Sequence, residues 1–463
     1  MTATSHLNRS LGLKLVIVVV IGNIIGSGVY KKVAPMADAL HSSGWVLICW
    51  VLGGIISLFG ALCNAEVAGL LANTGGEYVY YQKIYNKFFS FMFGWSLFAI
   101  IQTAAISALA FVFAESVNHI IHIPPILPSL ASIHIGKGFH PFADLNIKLT
   151  AILLIIFLTW INSKGVKMGA GVSSGVLLLV FGSLLLIVGF GLSSGHANIS
   201  QAFDLNTFDS KAVTFSGVFT AMLAAFWAYQ GWASVGFVGG EIKDANKNIP
   251  RGIVIGIFSI IALYLLVNTT YLSLLSVEKI EAIHQAGNQI TAVEAVRSFW
   301  GNYGVVFISV LIAVTTLGCT NATILTSSRI YYAMAKEKMF FKKVEKLNDK
   351  QAPSNSLLFQ GVWACLLVLS GTFDQLTDMI IFAVFIYYGA TTLGVFILRK
   401  KMPDAPRPYK VWGYPIVPAI VILFCAALFI NTIIEKQMEA AIGMGLMLTG
   451  VPMWYWFNRK KTD

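Results

Sequence analysis

Charge is what this chain has least of. Asp, Glu, Lys and Arg make up 11% of its 463 residues, where a soluble domain carries about 25%, so most of the chain cannot be a water-facing globule. Cysteine is sparse, and Cys49, Cys63, Cys319, Cys365 and Cys425 all fall within apolar runs. With none in an expected outer loop, neither a disulfide framework nor a disulfide-linked partner chain is implied. Low-complexity tracts are missing, and no interval between apolar runs is long enough for a sizeable soluble domain. The eight histidines lie in loops or at span ends, so no nucleophile–base pair converges at membrane depth as an embedded enzyme would need. His119, His122, His134 and His140 crowd one loop, but acidic or Cys ligands at suitable spacing are lacking. Solvated loop histidines are the expectation there, with no metal and no cofactor.

What the chain does have is apolar length: 57% of its residues are hydrophobic and the mean hydropathy is +0.74. Twelve spans are expected, at 13–37, 44–71, 88–118, 147–162, 169–193, 214–239, 252–276, 302–325, 355–372, 376–398, 415–434 and 439–457, since a helix crosses a bilayer in ~20 predominantly apolar residues. An even number leaves both termini on one side. On that side lie 24 of the 32 Lys and Arg, against 8 on the other, which makes it the cytoplasm by the positive-inside rule. The net charge of +11 is explained by these loops rather than by binding to nucleic acid. Met1 to Arg9 leads into the first span without a small-residue cleavage site, so that span is expected to remain in a multi-pass protein of the cell membrane.

Two spans carry material that suits an unbroken lipid-facing helix poorly. In the first, Gly26, Ser27 and Gly28 follow Ile24 and Ile25. Glycine there frees backbone groups that must find partners at membrane depth, and a bound solute is one such partner. Close packing of helices through small residues is the other reading of the same pattern. In the sixth, Phe226-Trp227-Ala228-Tyr229-Gln230-Gly231-Trp232 sets a Gln and a Gly among aromatics. Each break opens a block of five spans, and an odd number of crossings inverts the second block. Paired interruptions at matching places in two halves point to the central site of a transporter. The helix starting near Ser27 offers N–H groups and partial positive charge to a carboxylate, and the helix ends near Ile24 and in the sixth span offer carbonyls to an ammonium. A zwitterion suits both, and an amino acid is the simplest zwitterion. No charged side chain lies within either break.

Ile24-Ile25-Gly26-Ser27-Gly28-Val29-Tyr30 resembles the first-helix signature of the amino acid–polyamine–organocation superfamily, in its L-amino acid transporter-like branch. Gly60 to Glu66, Thr74 to Tyr80, Trp227 to Trp232, Leu325 to Ala335 and Arg407 to Pro415 agree with it in order along the chain. The resemblance implies an all-α membrane protein with twelve transmembrane helices. It would be a single domain with a LeuT-type inverted repeat, 13–193 and 214–398, plus two C-terminal helices at 415–457, helices 1 and 6 being interrupted. It implies that N–H groups of Gly26, Ser27 and Gly28 hold a substrate carboxylate, and that carbonyls of Ile24, Trp227 and Gln230 hold its amino group. Trp227 would close over the substrate, with Phe226 as the alternative if the register is off by one. The branch usually has a Lys in the fifth span, where this chain has Val180, so Thr316 and Thr320 become candidate ion ligands. Their hydroxyls bonding back to their own helix is the alternative. The branch's Asn in the eighth span is Asn321. Eukaryotic members join a glycoprotein through a cysteine that the 118–146 loop lacks, which implies a stand-alone, bacterial inner-membrane protein.

The function implied is secondary transport of amino acids by alternating access, as exchanger or cation-coupled carrier. A polyamine carrier would need acidic residues in the breaks, and a receptor that binds without transport is the remaining alternative. Glu66 and Glu115 read as structural groups near water at opposite span ends, and Glu241 with Arg251 as an ion pair at the inner gate.

Overall fold

In the computed structural model, residues 12–71, 76–133, 141–164, 173–207, 212–232, 242–287, 289–349, 352–407 and 409–459 are described. They form helices and connecting loops, without a β-strand. In chain order these are α1 (Leu13–Ile24), α2 (Gly28–Lys31), α3 (Val33–Leu40), α4 (Ser43–Leu70), α5 (Gly76–Ile84) and α6 (Lys87–Ile120). Then come α7 (Leu145–Ser163), α8 (Ser173–Ser193), α9 (Phe215–Tyr229), α10 (Ala245–Leu274), α11 (Val277–Ala286) and α12 (Thr291–Lys336). The chain ends in α13 (Ser354–Ser370), α14 (Phe373–Lys401), α15 (Ile416–Glu435) and α16 (Gln437–Arg459). Eight of the helices are long and apolar enough to cross a membrane, and α1, α9, α13 and the 179–193 stretch are shorter apolar helices.

Polar residues at the ends set where helices begin. The Ser42 hydroxyl accepts from the Trp45 N–H, Asn86 from Phe89 and Thr214 from Gly217, which satisfies N–H groups that have no intrahelical acceptor. Thr372 and Gln375 form a reciprocal capping box at the start of α14. Inside the helices, hydroxyls such as those of Ser107, Ser116 and Thr432 donate to carbonyls of their own helix. That hides polar atoms where no water is available. α6 carries a π-helical turn at Leu97–Ile101, and α12 is two helical segments meeting at Gly301, whose backbone leaves the helical region (φ 60°, ψ −148°).

The boundaries differ from the sequence reading where a helix outlasts its lipid-facing stretch. The helix behind the expected span at 302–325 runs from Thr291 to Lys336. Apolar residues at both ends, Val293 and Val296 at one and Tyr331 and Met334 at the other, are buried against the protein, while Arg297, Arg329 and Lys336 stay exposed. α12 packs along α6, α10 packs on α1 and α4, and α9 packs on α3 and α4. The sixth span is described only as far as Trp232, and its continuation over 233–239 lies outside the described residues, as do Glu241, His134 and His140.

Two ion-pair clusters tie the bundle. Glu66 is 2% exposed and receives both the Nε and an Nη of Arg399, at 2.9 and 2.7 Å. It also receives the backbone N–H of Val411 at 2.6 Å, with the Arg407 guanidinium 3.5 Å away. Glu115 is 4% exposed and takes the Lys31 ammonium at 2.5 Å. Neither carboxylate is in water, contrary to the expectation from their place near span ends, because a neighbouring helix covers each. Charges so far from solvent persist only when paired.

Candidate functional site

The first span stops being helical after Ile24. Ile25 is extended (φ −69°, ψ 113°), and a new helix begins at Gly28. In the sixth, α9 ends at Tyr229, Gln230 is extended (φ −65°, ψ 148°), and Gly231 adopts φ +121°, a conformation that favours glycine. The two breaks meet backbone to backbone. A Cβ at Gly28 would lie 2.5 Å from the Ala228 Cα, and one at Gly231 would collide with the Asn23 carbonyl oxygen. Only glycine at these two positions lets the breaks approach so closely.

The phenol of Tyr264 on α10 donates to the Ala228 carbonyl at 3.0 Å and to the Ile24 carbonyl at 3.3 Å, so one hydroxyl serves the last helical turn of each interrupted segment. The Ile24 carbonyl thus accepts one bond already and keeps its second lone pair. Gly26, Ser27 and Gly28 head the next helical segment, whose first N–H groups have no intrahelical acceptor. Ser27 is buried at 1% exposure, and its hydroxyl oxygen accepts the indole N–H of Trp227 at 3.1 Å. Cys319 on α12 approaches the Ile25 carbonyl, Sγ to O 3.9 Å.

Burial around the first break is one-sided. Asn23 is exposed and Gly26 half-buried, whereas Val29, Tyr30, Lys31, Lys32 and Val33 are all buried. The segment after the break is therefore covered throughout, whereas before and within it Asn23 and Gly26 keep access beside the buried Ile24 and Ile25. Part of that cover is the lysine pair. Lys31 binds Glu115 on α6, and Lys32 donates to Asp374 and Thr377 on α14, both at 2.6 Å.

The expected site residues do not all converge. Ile24, Ser27, Gly28 and Trp227 come together, with Gly26 in the same break. Phe226 turns away, its ring packing on Phe385 at 4.5 Å and on Phe424 at 5.4 Å. Gln230 lines a small apolar cavity with Ser57, Trp232 and Tyr388. Val180 is buried, and its carbonyl accepts the Ser183 hydroxyl at 2.7 Å. Thr316 donates to Ile312 at 2.8 Å and Thr320 to Thr316 at 2.6 Å, so both hydroxyl protons are used within their own helix. The Asn321 carbonyl oxygen accepts from Asn162 on α7 at 2.7 Å. Arg251 is exposed. Groups of three or more His, Cys, Asp or Glu placed to hold a metal do not occur among the described residues. Tyr264 and the partners of Lys32 were not singled out from sequence, and Glu115 was, but not as the partner of Lys31. The available signal was two adjacent lysines inside an expected span, which demand partners.

A multi-pass helical membrane protein with two helix breaks pressed together in its interior is built as a transport protein, not as an enzyme. Sequence comparison agrees. The family model described as amino acid permease matches residues 11–457, and the chain belongs to that family. It is 30% identical to the serine/threonine exchanger of Bacillus subtilis, over all of both chains. It is 28% identical to the large neutral amino acids transporter small subunit 2 of Oryctolagus cuniculus, covering 98% of this chain and 82% of that one. Against the human b(0,+)-type amino acid transporter 1 the identity is 26%, with 99% and 90% covered.

Proposed function

We propose that this protein carries amino acids across the cell membrane by alternating access, as an exchanger or with a coupled cation, through a twelve-span LeuT-type bundle. The repeats would be 13–193 and 214–398, with 415–457 as two additional helices and both termini in the cytoplasm. The observation that carries this is the pairing of breaks: Gly28 against Ala228, and Gly231 against Asn23. Substrate carboxylate would sit on N–H groups of Gly26, Ser27 and Gly28, and the ammonium on carbonyls of Trp227 and Gln230, with Ile24 sharing its oxygen with Tyr264. Trp227, already bonded to Ser27, is favoured over Phe226 as the lid. A zwitterion needs no side-chain counter-ion in the breaks, whereas a polyamine would need acidic groups there. Small and large neutral amino acids are the first substrates to try, in line with the names of the similar proteins. The carrier would act without a disulfide-linked heavy chain.

The test is uptake of labelled amino acids into proteoliposomes with and without internal amino acid. Uptake only into preloaded vesicles makes it an exchanger. Uptake into empty vesicles that follows a sodium or proton gradient makes it a coupled carrier and returns attention to Val180, Thr316 and Thr320. Binding without flux in either format would leave a receptor.

A further inference from the structure

Phe373 stands where the covered side of the first break meets the proposed lid. It is the first residue of α14, 3% exposed, and the capping box of Thr372 and Gln375 fixes the helix start that carries it. Its ring centroid lies 4.9 Å from the Lys31 ammonium and 4.8 Å from that of Lys32. The Trp227 ring meets it edge to face, with centroids 6.2 Å apart and planes at 85°. One benzene ring thus touches two cations and the proposed lid.

Each contact has a physical basis. The negative face of an aromatic ring attracts ammonium groups, more strongly when they are desolvated, and both lysines are buried. The perpendicular ring contact is the arrangement that aromatic quadrupoles favour. The lysines are in turn held by different helices: Lys31 by Glu115 on α6, and Lys32 by Asp374 and Thr377 on α14. Asp378, 4.0 Å from Lys32, is also 3.5 Å from Lys436. Anything that moves α14 away from the first break must separate Phe373 from the ammoniums, and with it the perch of Trp227.

We propose that Phe373 is a positioning residue that couples the Lys31 and Lys32 ion pairs to the lid, so that the cover after the first break, which faces outside if both termini are cytoplasmic, and Trp227 close together. This rests on the reading of Trp227 as a lid, but its test does not depend on the substrate. Cys319 is the reporter, since it lies beside Ile25 and is only half-buried, while Cys49, Cys63 and Cys425 are buried. Cys365, also half-buried, is replaced by serine throughout. Cells expressing the protein are treated with a membrane-impermeant maleimide from outside, and the labelling rate of Cys319 is measured.

The C365S protein should label slowly and its F373L variant about tenfold faster, the scale of one lost ring contact. F373Y, which keeps the ring face, should label as slowly as C365S. A size-exclusion profile checks folding, and F373M replaces F373L if the latter does not fold. Equal rates in F373L and C365S, or fast labelling in F373Y, overturn the proposal. Uptake of labelled serine by the same cells judges the transport reading separately. Uptake with unchanged labelling sinks only the coupling, while faster labelling without uptake sinks only the substrate assignment.

Discussion

The two sides of this bundle are tied by the same charges used in opposite ways. On the side of α2 and α3, Lys31 reaches Glu115 and Lys32 reaches Asp374, with Asp378 4.0 Å away, over a shared aromatic ring. Toward the far end of α14, Glu66 is gripped by the fork of Arg399, approached by Arg407 and capped by the N–H of Val411. A lysine is a point charge on a flexible stem, so its pair can part and reform. An arginine fork fixes geometry as well as charge. The difference suggests a latch on one side and a rivet on the other.

The strongest way to break that comparison is to remove the rivet. Glu66→Ala leaves the Arg399 guanidinium and the buried Val411 N–H without their acceptor, while Arg407 keeps its backbone carbonyls. Truncating one partner of a buried pair costs about 3–5 kcal/mol. The variant should lose most folded material on size exclusion in detergent. A normal yield and melting temperature would mean that Glu66 is no rivet.

At the breaks themselves, Ser27→Pro removes one N–H yet fits the local backbone, whose φ of −65° is the value proline prefers. Amino acid binding should vanish while folding persists. Wild-type affinity in a folded variant would refute the carboxylate assignment.

Closer to the latch, Trp227→Leu deletes the hydrogen bond to Ser27 and the contact with Phe373. Half-saturation for transport should rise about tenfold, a loss of ~1.4 kcal/mol. Phe226→Leu, facing Phe385 and Phe424, should change it far less. Equal effects would dissolve the distinction between the two aromatics.

The remaining effect is read against pH and concerns α5. Burial pushes the Glu77 carboxyl from 4.5 up to about 7, and its Oε1 has no hydrogen-bond partner among the described residues. A raised carboxyl stays neutral in the folded chain after it has ionised in the unfolded one. Stability is therefore full below about pH 4.5 and falls as pH rises to about 7. Glu77→Gln should flatten the fall in unfolding free energy across that window by up to about 1.4 kcal/mol per pH unit, which a series of melting curves against pH would show. An unchanged slope would place its origin in other groups.

Much of this was legible in the residues. Gly26, Ser27 and Gly28 mark the first break, and Gln230 with Gly231 the second, because each is a local property of backbone freedom. The choice between Phe226 and Trp227 was not legible. Adjacent helical residues point about 100° apart, and only packing fixes the rotation that aims Trp227 at Ser27 and Phe226 at Phe385. Thr316 and Thr320 suited either an ion or their own helix by sequence, and their protons go to the helix. The sharing of the Ile24 and Ala228 carbonyls by Tyr264 joins residues from three helices, which no spacing rule reaches.

By itself the sequence determined that the chain is a helical membrane protein with two flexible interruptions free of charged side chains. Those follow from composition and from which residues free a backbone, and both are properties of short stretches. The tertiary structure decided which interruption faces which, and which partners Lys31, Lys32 and Glu66 find. It also decided that the segment after the first break is covered while Asn23 and Gly26 keep access. Such outcomes depend on contacts between residues hundreds of positions apart, where the cost of an unpaired buried charge, rather than local preference, selects the neighbour.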